Sequence, residues 1–147
     1  MTTVGDELRH AIGSALPRLR AFTEERASRA PAPGKWCPKE IIGHLLDSAN
    51  NNLGRFVRLQ AVDHLRFEPY DQNEWVRASG YAEADWLELI ELWARFNLHL
   101  ARVMDRVPEA IALKPRKDHA HWAAPTPHYH PMASRRWIGS CAITWRT

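Results

Sequence analysis

The chain has 147 residues, enough for one domain that buries roughly two thirds of its unfolded surface without disulfides. It contains no apolar run of the ~18 residues a membrane span requires, and no apolar stretch follows a basic start, so no signal peptide is expected. Two cysteines, Cys37 and Cys141, exclude a disulfide framework, and the cytoplasm is the expected location. The net charge of +3 is uneven: residues 1–113 carry 14 Lys/Arg against 16 Asp/Glu, and residues 114–147 carry 6 against 1. The helical part has no basic stripe, so nucleic-acid binding is not expected.

Residues 3–28 place Val4, Leu8, Ile12, Ala15, Leu16, Leu19 and Phe22 on a 3.6-residue period, which predicts a helix that Pro17 kinks or breaks. "RAPAPGKW" follows as a loop. A second helix is predicted over residues 38–60, with Pro38 at its first position and Cys37, a weak capping residue, before it. Its apolar face is Ile41, Ile42, Leu45, Leu46, Ala49, Leu53 and Phe56. Gly43, Asp47, Asn50 and Arg58 lie opposite, and His44, Ser48, Asn52 and Arg55 form a polar stripe along the border.

Residues 61–81 have no sustained period and read as a long connection with one short helical turn, carrying Tyr70, Asp71, Trp75 and Tyr81. A third helix is predicted over residues 82–107, with Trp86, Leu89, Ile90, Trp93, Phe96, Leu100, Val103, Met104 and Val107 on one face. Asn97 sits within that face and needs a partner if buried, while Arg95 and His99 fall on the wet side. Beyond Lys114 the pattern stops, with four prolines, Pro115, Pro125, Pro127 and Pro131. Three amphipathic helices leave one seam uncovered, where geometry calls for a fourth helix. The expected division is a helical part, 1–113, and an atypical Pro/His-rich basic tail, 114–147.

The candidate chemistry is sparse. From the residues alone, His44 is either a structural histidine or a metal ligand. The pairs His119/His121 and His128/His130 are either chelating or solvated. Asn52 and Asn97 either line a pocket or bond between helices. Cys37, at a helix start that favours thiolate, has no assignable base. No phosphate-cradling glycine loop is present.

"KWCPKEIIGHLLDSANNNLGRFVRL" (35–59), "YDQNEWV" (70–76), "GYAEADW" (80–86) and "LWARFNLHL" (92–100), in that order and spacing, resemble the DinB-like (YfiT-like) family of metal-dependent enzymes. The resemblance implies an all-α, antiparallel four-helix bundle with a long crossover and a divalent metal, zinc or nickel, at one end. It maps one metal-binding histidine onto His44. The other two family ligands form a His-x-x-x-His pair on the fourth helix, which this sequence lacks. Its fourth helix is therefore expected to be degraded or absent. The change in charge and period near residue 114 fits a divergent or frameshifted C-terminus. A back-translation of "RWIGSCAITWRT" displaced by two bases can spell VDRLMRDYLAH, an amphipathic start ending in histidine. The gene's nucleotide sequence tests this, and early stops in the displaced frame would end the idea.

A ligating His44 would need an acceptor on its second nitrogen, for which Ser48 and Asp71 are the candidates. The implied function is a metal-dependent hydrolase or thiol transferase acting on a small molecule, in a homodimer. The alternative is a non-catalytic helical module, a damaged family member without its metal.

Overall fold

The computed structural model describes residues 3–62 and 70–112. Among them the secondary structure is entirely helical, as the sequence period requires: α1 (Val4–Arg20), α2 (Glu24–Ser28), α3 (Pro38–Leu59), α4 (Gln72–Ser79), a 3₁₀ turn (Tyr81–Glu83), α5 (Trp86–Asp105) and α6 (Glu109–Ala112). The long helices α1, α3 and α5 account for three of the four expected in the bundle. The tail, including its four histidines, and His64 lie outside the described residues.

The helix predicted over 3–28 is two helices. Pro17 is accommodated inside α1, in its last turn, and the break falls at Ala21. Thr23 then starts α2, its hydroxyl accepting the Arg26 N–H at 3.2 Å. The stretch 61–81 holds more structure than expected. Asp71 caps α4, accepting the Asn73 and Glu74 N–H groups at 2.8 and 3.0 Å. Gly80, at φ +65°, ends α4 in the left-handed conformation that glycine adopts without steric cost.

The core joins α1, α3 and α5 through Leu8, Ile12 and Leu19, Ile42, Leu45, Ala49 and Phe56, and Trp86, Ile90, Trp93 and Leu100. Helix α5 packs against both α1 and α3. Helices α1 and α5 run in opposite directions. At one end Thr3 and Arg9 bond to Asp105. At the other, Trp86 Nε1 donates to the Leu19 carbonyl at 3.0 Å and Arg20 pairs with Glu91.

Helix α3 begins at the same end as α5. There the buried Lys39 ammonium pairs with Glu24 and reaches the Ala82 carbonyl at 3.4 Å, and Glu24 also accepts the Trp86 N–H at 3.0 Å. The chain between α3 and α5 must therefore return along the bundle, which is the long crossover. Helix α4 and the 3₁₀ turn on that crossover pack onto α3.

Candidate functional site

His44 lies in the second turn of α3, near the end of the bundle where α2, the 3₁₀ turn and the start of α5 converge. The ring is half-buried, and Trp36 from the preceding loop packs against it with centroids 5.1 Å apart and planes inclined by 41°. Its Nδ1 is buried and has no hydrogen-bond partner among the described residues.

Three residues on, Asp47 is only 6 % exposed. Its Oδ1 accepts the Tyr81 hydroxyl at 2.6 Å, while its Oδ2 is buried and without a partner among the described residues. This reverses an expectation. The helical wheel put Gly43 and Asp47 on the outer face, opposite the core, and both are buried. The reason is the crossover: the Tyr81 ring lies directly over Gly43, closely enough that a Cβ there would overlap its inner atoms. Helix α3 is covered on two sides, and only Asn50 and Arg58 of the four stay exposed.

Electrostatics follows from that burial. Desolvation raises the Asp47 carboxyl above its ordinary value, against the opposing pull of the Tyr81 hydrogen bond and His44. Burial likewise pushes the Tyr81 hydroxyl up to about 12, helped by its bond to Asp47, so it is a donor at any physiological pH. The His44 imidazole is held below its ordinary value by burial, with Asp47 acting in the other direction. It is a neutral ring near pH 7, the form that binds a metal.

A pH dependence follows. Because the folded pKa of His44 is lower than the unfolded one, the unfolded chain takes up the proton first as pH falls. The neutral ring's contribution to stability is complete above 6.5 and is lost as pH falls from there toward the lower folded value. Replacing His44 with Phe should flatten the decline in Tm on going from about pH 7 to about pH 5. Thermal melts across that range check it, and parallel curves for the two proteins would contradict it.

The other candidates fall away from the site. The hydroxyl of Ser48 is 3.4 Å from the Asn52 amide nitrogen, and Asp71 caps α4, so neither expected acceptor serves His44. Asn52 Nδ2 donates to the Ser48 carbonyl at 2.8 Å, and its Oδ1 accepts from Arg55 at 3.1 Å. Asn97, 1 % exposed, donates to the Trp93 carbonyl at 2.9 Å. These amides bond within their own helices, and neither forms the inter-helix bond that was one of the two expectations. Burial raises the Cys37 thiol above its ordinary value, which removes the thiolate advantage of a helix start. His99 is exposed, as expected, and so is His10. The sequence pattern singled out Tyr81 on the connection but not its pairing with Asp47, which it placed on the outer face. The available signal was Gly43, a small residue mid-helix, one turn before an acidic one.

Among the described residues no group of three or more His, Cys, Asp or Glu side chains could hold a metal ion. What His44 offers a metal is a ring held below its ordinary pKa by burial, with a buried nitrogen that has no hydrogen-bond partner among the described residues. No described helix is long and apolar enough to cross a membrane.

These features define an all-helical bundle with a half-buried imidazole and a clamped carboxylate at one end. The chain belongs to the DinB superfamily, whose family model matches residues 7–142, a span that includes most of the tail. Searches of curated proteins and of solved structures returned no match.

Proposed function

We propose that this chain is a metal-dependent enzyme of the DinB type, a hydrolase or thiol transferase acting on a small molecule, with His44 as one ligand to zinc or nickel. Membership of the superfamily carries the reading, and the imidazole at the family position, its Nδ1 without a hydrogen-bond partner among the described residues, supports it. A catalytic site of this kind needs about three protein ligands. The described residues offer His44 alone for this role, and His119, His121, His128 and His130 lie outside them. When bound, such a metal lowers the pKa of a water or thiol and makes the nucleophile. The chain's own residues hold the imidazole neutral, shield one side of it with Trp36, and keep a carboxylate beside it. The same reading includes a cytoplasmic homodimer. Leu87 and Leu98, exposed and about three turns apart on α5, are apolar surface that a second copy would cover.

Elemental analysis of purified protein tests the proposal. Wild type should carry about one zinc or nickel ion per chain, and His44→Ala should carry none. A wild-type protein without metal, or a variant that keeps it, overturns the proposal and leaves the non-catalytic helical module.

A further inference from the structure

Two atoms near the bundle end stand out because each lacks what the other supplies. His44 Nδ1 and Asp47 Oδ2 are both buried, and neither has a hydrogen-bond partner among the described residues. A buried polar atom left unpaired is costly, and such atoms are rare in folded proteins. Residues three apart on a helix are neighbours, with Cβ atoms about 5–6 Å apart, so side-chain rotation closes the remaining gap. A neutral imidazole has one N–H and one lone pair, and its tautomer is decided by what the ring nitrogens meet. A carboxylate oxygen can only accept.

We propose that Asp47 is a positioning residue for His44: its Oδ2 accepts the Nδ1–H of the imidazole, leaving the Nε2 lone pair as the atom offered to a ligand. The inference deepens the proposed function by naming the nitrogen presented, and Asp47 takes the orienting role that Ser48 and Asp71 do not fill. Three features hold the arrangement. The Tyr81 hydroxyl fixes the other carboxylate oxygen at 2.6 Å. Gly43 leaves room for the Tyr81 ring. Trp36 limits the swing of the imidazole from the loop side. A carboxylate behind a metal-binding histidine fixes the tautomer and raises the basicity of the ligating nitrogen, and loss of such a partner typically weakens metal binding by about 10–100-fold.

The tautomer is directly readable in metal-free protein by two-bond ¹⁵N–¹H correlation of the His44 ring at a pH where it is neutral. Wild type should show the Nδ1–H form, the reverse of the Nε2–H form that a free histidine side chain favours. Asp47→Leu, which offers no acceptor, should shift the ring toward Nε2–H. Asp47→Asn, which keeps a single carbonyl oxygen, should fall between the two, and it carries the test should the leucine variant fail to fold. Nε2–H in wild type, or one tautomer ratio in all three proteins, overturns the inference. This readout needs no metal, so its failure is separable from a failure of the metal proposal. If wild type binds zinc, the Asp47 variants should bind it about 10–100-fold more weakly, and equal affinity would overturn the positioning role.

Discussion

Trp86→Ala should reduce the free energy of unfolding by about 3–5 kcal/mol, the largest effect expected of any single substitution here. The indole is 1 % exposed and stands at the first position of α5, against the end of α1. It packs near Phe22, with ring centroids 6.0 Å apart, and its Nε1 caps the Leu19 carbonyl at the close of α1. Truncation removes the apolar contact, opens a cavity and takes the indole donor from the Leu19 carbonyl, which keeps its bond from the Phe22 N–H at 3.0 Å. Against a typical total of about 5–15 kcal/mol, that is a large fraction of the stability. Urea unfolding monitored by far-UV circular dichroism measures it. Trp86→Phe, which fills most of the volume but cannot donate, should lose markedly less. Equal losses for the two variants would mean that the hydrogen bond, and not packing, dominates.

Gly43→Ala should destabilise by about 1–3 kcal/mol, although alanine is intrinsically the better helix former by about 1 kcal/mol. The added methyl would overlap the inner atoms of the Tyr81 ring, which no rotation of a side-chain tip relieves. The ring must move, and the Asp47 carboxylate then loses its one described donor. At Gly54, on the same helix, an added methyl would meet nothing within 4 Å. Gly54→Ala should therefore stabilise by up to about 1 kcal/mol. One substitution at two sites of one helix, with opposite signs, isolates the contact with Tyr81. A stabilised Gly43→Ala protein would show that the crossover does not hold its place against α3.

Periodicity made the three long helices readable. Each spans four or more turns, so the apolar stripe repeats often enough to exceed chance, and Trp86, Trp93 and Ile90 fell where it put them. A kink or break was expected at Pro17, but its true place after Arg20 was not readable, because the stripe continues in phase to Phe22 and the interruption is a capping event at Thr23. Helix α4, only eight residues long, presents too few turns for a period to register. That omission propagated to the site. Without the crossover layer, a wheel of α3 has one buried side, and Asp47 and Gly43 fall on the wet one. His44 was visible through the family motif, whereas its carboxylate neighbour became visible only once Tyr81 was in place.

Helix α5 is the shared partner of α1 and α3, and this governs the order in which the protein can mature during synthesis. The α1 segment leaves the ribosome first, yet the surface that buries Leu8, Ile12 and Leu19 is translated only with residues 86–105. At roughly 5–20 residues per second, the apolar stripe of α1 waits several seconds for its counterpart. A nascent chain halted before Trp86 would hold two greasy helices and nothing to close over them, which makes that interval the point of greatest need for a holding chaperone.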